Sequence, residues 1–101
     1  MADGPNLQDT LENILGSENV YFQPPESLKL SYPAIVYELA RFDTRFANDA
    51  MYKLMDCYTV TLIDKNPKSE FIKKLLTLPY CSFDRHFKSD NLNHYVYTLY
   101  F

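Results

Sequence analysis

The sequence predicts an α+β domain: an antiparallel sheet with two flanking helices, in the order α-β-β-β-α-β-β. Two observations predict it. Apolar residues recur at helical spacing in two separate stretches and alternate with period two in several others. Aromatic residues are 16% of the chain, nine Tyr and seven Phe with no Trp, and aromatic and β-branched side chains favour strands. Glycine occurs only twice, which leaves little room for a loop that cradles phosphates through bare backbone.

The first helix is expected from Pro5 to Leu15. Pro5 suits a first helical position, where its missing N–H costs nothing. Leu7, Leu11, Ile14 and Leu15 share one face, and Gly16 supplies the left-handed residue that ends the helix. So short a helix must pack on something to persist. Asn19 to Gln23 reads as a short strand, stopped by Pro24 and Pro25, which cannot donate to a ladder. The run Glu18-Asn19-Val20-Tyr21-Phe22-Gln23 resembles the recognition site of the tobacco etch virus protease. Val20 in place of Leu, Pro24 in place of a small residue, and the lack of a preceding purification tag favour a native segment.

A polar loop over 24–32 closes at Pro33. Ile35, Tyr37 and Leu39 then alternate with Val36, Glu38 and Ala40, a strand over 34–42. Turn residues fill 43–50, and Met51 to Asp64 reads as a long strand with Tyr52, Leu54, Tyr58, Val60 and Leu62 on one face. The two strands form an antiparallel hairpin with a projecting tip. Asn66 suits an N-cap and Pro67 a first helical residue, so the second helix is expected from Pro67 to Leu76, ending before Pro79. Cys81, Phe83, Arg85 and Phe87 alternate with Ser82, Asp84 and His86. After a turn at Ser89-Asp90-Asn91, Tyr95, Tyr97, Leu99 and Phe101 alternate with His94, Val96, Thr98 and Tyr100. A strand that ends on Leu-Tyr-Phe has its terminus packed in the sheet or against a partner.

At 101 residues the chain is expected to form a single domain over 1–101. Burying roughly 65% of its unfolded surface allows one modest core. Ten Lys and Arg against 13 Asp and Glu give a net charge of −3, without the basic footprint of a nucleic-acid binder. No apolar run is long enough to span a membrane, and no apolar h-region follows Met1, so no signal peptide is expected. Cys57 and Cys81 read as free, partly buried thiols of a cytosolic chain. The charge is uneven. Residues 1–31 carry Asp3, Asp9, Glu12, Glu18 and Glu26 against Lys29 alone, while the rest is nearly neutral. An acidic first helix of this kind can dock against a neighbour's lysines.

Few constellations suggest chemistry. His86 and His94 flank a turn, with Asp84 or Asp90 at hand for a metal, but the spacing matches no zinc pattern. Cys57 or Cys81 with a histidine would make a nucleophile pair, yet no third group or oxyanion-hole motif accompanies them. Turn chemistry explains Asp43, Asn48 and Asp49 without calcium. Lys65, Lys68, Lys73 and Lys74 read as a solvated helix face. The expectation is therefore a protein that is not an enzyme, with no cofactor and no metal.

Several short blocks carry a more specific likeness: Asn19-Val20-Tyr21-Phe22-Gln23-Pro24-Pro25, Tyr32-Pro33-Ala34-Ile35-Val36-Tyr37, Tyr58-Thr59-Val60-Thr61-Leu62-Ile63-Asp64, Leu78-Pro79-Tyr80-Cys81-Ser82-Phe83-Asp84-Arg85 and Asp90-Asn91-Leu92-Asn93-His94, leading to Leu99-Tyr100-Phe101. Over residues 7–101 the chain resembles small head–tail connection proteins of tailed bacteriophages, closest to the tail terminator, or tail completion, family. One departure is Ala34, where the family often has Cys, which touches packing rather than role. The resemblance implies a small α+β fold and a hexameric ring that caps the tail tube and joins it to the head. The implied partners are further copies of the chain, the tail tube protein and a head-closure or neck protein, with DNA only as cargo passing through the ring and no membrane. The implied location is the virion neck, assembled in the host cytoplasm. A head-closure or adaptor ring is the alternative within that neck. The alternative of another class is a small cytosolic hydrolase or metal protein using Cys81, His86 and His94.

A domain of this size builds a ring through aromatic anchors and strand edges. The expected contact residues are Tyr95, Tyr97, Tyr100 and Phe101 on the last strand. The hairpin tip from Arg41 to Tyr52 adds Arg41, Arg45, Phe46 and Tyr52.

Overall fold

In the computed structural model, which describes residues 6–43 and 55–101, the first helix α1 spans Leu7–Leu15. Asn6 precedes it with extended backbone, and its side-chain oxygen accepts from the Asp9 N–H at 2.8 Å. That cap starts the helix later than the Pro5 start expected from sequence. Gly16 closes it with φ +76°, and its N–H donates to the Glu12 carbonyl. Leu7, Leu11 and Leu15 lie on the buried stripe. Leu11 is sealed completely, and such burial contributes about 1.5–3 kcal/mol per leucine.

Five strands form one mixed sheet: β1 (Val20–Phe22), β2 (Ala34–Asp43), β3 (Met55–Asp64), β4 (Cys81–Ser89) and β5 (Leu92–Tyr100), in the order β1-β2-β3-β5-β4. With α2 (Phe71–Leu75) between β3 and β4, the chain order is the α-β-β-β-α-β-β expected. The sheet is not wholly antiparallel, because β1 runs parallel to β2, pairing Val20 with Ile35 and Phe22 with Tyr37. The physical reason is the connection. About a dozen residues, including the cis Tyr32–Pro33 peptide, join the two strands, long enough for the crossover that a parallel pair needs. The run that resembles a protease site is thus an integral strand, with Val20 buried and its carbonyl accepting from Gln8 Nε2 at 2.9 Å.

Strands β2 and β3 pair antiparallel from Ala34↔Ile63 to Asp43↔Met55, the hairpin expected. Its tip, residues 44–54, lies outside the described residues, so the expected contacts Arg45, Phe46 and Tyr52 do too, as do Asn48 and Asp49. Strands β4 and β5 turn through Asp90 and Asn91, both at positive φ (53° and 65°), the pattern of a two-residue hairpin of type I′.

Both helices cover one face of the sheet. There the leucines of α1 meet Val20, Ile35, Tyr37, Val60, Leu62, Tyr95, Tyr97 and Leu99, with Leu75 of α2 closing the core. The opposite face carries Tyr21, Val36, Thr59, Thr61, Val96 and Thr98, opposite one another by register.

The second helix is shorter than the Pro67–Leu76 span expected, and Asn66 is not its cap. A chain of side-chain acceptors shapes 64–71 instead. Asp64 Oδ1 accepts from Asn66 N at 3.0 Å, Asn66 Oδ1 from Lys68 N at 2.9 Å, and Ser69 Oγ from Phe71 N at 3.3 Å. These local bonds hold residues 66–70 in turns that compete with helix. Ser69 is buried and serves the first turn of α2, whereas Asn66 is exposed. Ser69→Ala is therefore expected to cost about 1 kcal/mol and Asn66→Ala less, since exposed substitutions usually stay within about 0.5 kcal/mol. Urea midpoints of the two variants check this, and a larger loss at Asn66 would refute it.

Candidate interface surfaces

Of the expected contact residues, two are core. Tyr95 and Tyr97 are 5% and 0% exposed. Their hydroxyls donate to the carbonyls of Pro67 (2.8 Å) and Ile72 (2.9 Å), which ties β5 to the α2 segment. Side chains with so little free surface offer none to a neighbour. Tyr100 is partly exposed on the other face of β5, opposite Cys57. Phe101 is 42% exposed at the end of the sheet, while its backbone pairs both ways with Asp56. The Arg41 backbone sits in β2 opposite Cys57, just after a bulge that follows Leu39.

Surface aromatics not expected from sequence gather at the open edge. Among the described residues strand β4 pairs with β5 alone, and past Cys81 all its residues are exposed. Tyr80 (67% exposed) leads into it, and its carbonyl accepts from Tyr100 N at 3.1 Å. A register shift at Asp84 breaks the simple alternation. Phe83 packs edge-on against Tyr97 at 5.5 Å and His86 stacks on Tyr95 at 4.6 Å, both on the helix-covered face. Phe87 stacks on His94 at 4.7 Å on the opposite face. The bulge thus moves Arg85 and Phe87 away from the side of Cys81 and Phe83 that plain alternation predicts. A free edge guarded by a bulge, the Asp84–Arg85 pair (2.9 Å) and Lys88 resists indiscriminate strand pairing.

A second surface lies at the other side of the sheet. The start of α1 and three strands line a groove of about 320 Å³ with Asn6, Leu7, Gln8, Phe22, Tyr37 and Tyr58. Its rings are in contact, Phe22–Tyr37 at 4.9 Å and Tyr37–Tyr58 at 5.9 Å. Gln8 organises one wall. Its Oε1 accepts from the Tyr37 hydroxyl at 2.7 Å and its Nε2 donates to Glu12 Oε2 at 2.8 Å. Burial raises the Tyr37 and Tyr58 phenols above the ordinary 10.0, and carboxylates add to it, Glu12 beside Tyr37 and Asp56 beside Tyr58. No local pattern announces this groove, because its rings come from three strands brought together by register.

The residues singled out for chemistry are dispersed. His86 and His94 lie on opposite faces, stacked on different rings, and His86 Nε2 is within 3.1 Å of Asn93 Oδ1. Among the described residues no three His, Cys, Asp or Glu side chains gather as a metal site. Cys57 is buried on the face opposite the helices. Burial pushes the Cys81 thiol up to about 11 from 9.0, which suppresses the thiolate at neutral pH. Cys81 and His86 are also roughly 15 Å apart along the strand at about 3.3 Å per residue. No helix among the described residues is long and apolar enough to cross a membrane. Comparison with known proteins finds no matching family model, no matching curated protein and no matching solved structure.

Proposed function

We propose that the chain is a structural assembly protein of a tailed bacteriophage, a tail terminator whose copies form a ring that caps the tail tube and joins it to the head. The observation that carries this reading is the amount of large apolar surface held outside the core. Phe22, Tyr80, Phe83, Phe87 and Phe101 are all exposed, distributed over two sides and one end of a single small sheet. Aromatic side chains set around a rigid sheet are what a protein working through several contacts at once needs. The resemblance of the sequence blocks to head–tail connection proteins supplies the place of that work. A catalytic reading is less well supported, since the thiol is held protonated and the two imidazoles face away from each other.

Electron micrographs of a lysate lacking this protein test the reading. Loss of a terminator leaves DNA-filled heads unjoined and tube subunits adding without a stop, so free heads beside tails of abnormal length are expected. Emptied heads beside tails of normal length would instead identify a head-closure ring. Intact infectious particles of normal form would overturn both.

A further inference from the structure

We propose that the aromatic groove at the start of α1 is the receptor for the α2 segment of a second copy of this chain, so that the helix layer links copies head to tail. The inference rests on the ring reading above, in which each copy presents two different, mutually complementary surfaces.

The groove selects its occupant by chemistry. Phe22 and the half-buried Tyr58 give it aromatic surface over the buried Tyr37, and two carboxylates stand beside that lining, Glu12 bonded to Gln8 and Asp56 next to Tyr58. Ring faces beside carboxylates favour a cation on an apolar stem, which describes lysine. The same chain presents that ligand elsewhere. Lys73 and Lys74 occupy the last turn of α2, Leu76 follows at 44% exposure, and Lys65 and Lys68 stand exposed just before the helix. The Lys74 ammonium already rests 5.4 Å from the centre of the Phe71 ring, so this side chain is at home on an aromatic surface.

Placement decides between a head-to-tail and a two-fold contact. The groove is built on β1, β2 and β3, whereas α2 is tied through Tyr95 and Tyr97 to β5. Groove against groove would set carboxylates against carboxylates, and α2 against α2 would set lysines against lysines. Groove against α2 pairs opposite charges at every joint, and each joint leaves one free surface of each kind for the next copy. Among the described residues no ion pair joins Glu12 or Asp56 to Lys73 or Lys74 within one chain.

Charge reversal of the full chain, read by sedimentation velocity, tests this. The wild type is expected to associate at about 50 mM salt and to weaken at about 500 mM, where the Debye length falls below about 5 Å. Glu12→Lys with Asp56→Lys, or Lys73→Glu with Lys74→Glu, should each weaken association about a hundredfold. An equimolar mixture of the two reversed proteins should associate again, because each supplies the charge the other needs. Glu12→Gln with Asp56→Asn keeps the test valid if the reversed groove variant does not fold, and should weaken association about tenfold. A wild type that stays monomeric up to about 0.1 mM overturns the proposal, as does association indifferent to either reversal or a mixture that remains apart. None of these results bears on the micrographs, so failure of this contact and failure of the ring reading can be told apart.

Discussion

Removal of Leu99 to Phe101 is expected to abolish cooperative folding. Leu99 and Tyr100 end β5, which lies between β3 and β4 in the sheet order, and Phe101 follows them. Leu99 is 1% exposed and sits across from Tyr58 on one side and Cys81 on the other. Losing it alone compares with a buried leucine truncation, about 2–5 kcal/mol. The backbone loss adds to this. Tyr100 N donates to the Tyr80 carbonyl at 3.1 Å, Phe101 N donates to Asp56 O at 3.0 Å, and Asp56 N donates to Phe101 O at 3.2 Å. Each such bond contributes about 0.5–1.5 kcal/mol net, and the partly buried partners left behind cost more. Against a net stability of about 5–15 kcal/mol for a small domain, the total is most or all of what holds the chain folded. Far-ultraviolet circular dichroism and urea titration of the shortened protein read the outcome. A soluble variant with an unchanged midpoint would show that the end of β5 is dispensable.

What was legible in the sequence is what local periodicity controls. The stripe of Leu7, Leu11 and Leu15 and the stop at Gly16 marked α1, and the alternation from Tyr95 to Leu99 separated the two faces of β5 correctly. Alternation alone does not say which face is inward when both carry tyrosine. Tyr95 and Tyr97 therefore read equally well as anchors for a partner, until the docking of α2 over them decides the matter. The parallel pairing of β1 was hidden for a related reason: direction depends on where a crossover leads, and only the length of the connection hinted at it. A single inserted residue at Asp84 turned Arg85 and Phe87 to the other face. Around Asn66, propensity and structure parted because Asp64, Asn66 and Ser69 each found a backbone N–H to cap in a turn. The aromatic groove required all of this at once, since Phe22, Tyr37 and Tyr58 are far apart in the chain and meet only through correct register.

Tyr97 is where packing, hydrogen bonding and titration converge, so its substitutions should separate the three. Its ring is fully buried, touches Phe83 and lies opposite Val60, and its hydroxyl donates to the Ile72 carbonyl at 2.9 Å. Tyr97→Ala is expected to cost about 3–5 kcal/mol, the range for emptying a large aromatic site. Tyr97→Phe keeps the ring and removes the anchor of α2, for about 0.5–1.5 kcal/mol. The pH dependence then distinguishes the hydroxyl from the ring. Burial, with Cys81 and Tyr95 nearby, raises the Tyr97 phenol from 10.0 to about 12. Below pH 10 neither the folded nor the unfolded chain ionises this group, and the wild type keeps its full advantage over the Phe variant. Between pH 10 and about 12 the unfolded chain releases the proton while the folded chain holds it, so unfolding is favoured and the advantage shrinks. Urea midpoints of wild type and Tyr97→Phe measured from pH 7 to 11.5 should therefore converge, with the wild type falling faster. Parallel curves across that range would mean that the buried hydroxyl titrates as it does in the unfolded chain, and would remove Tyr97 as the link between β5 and α2.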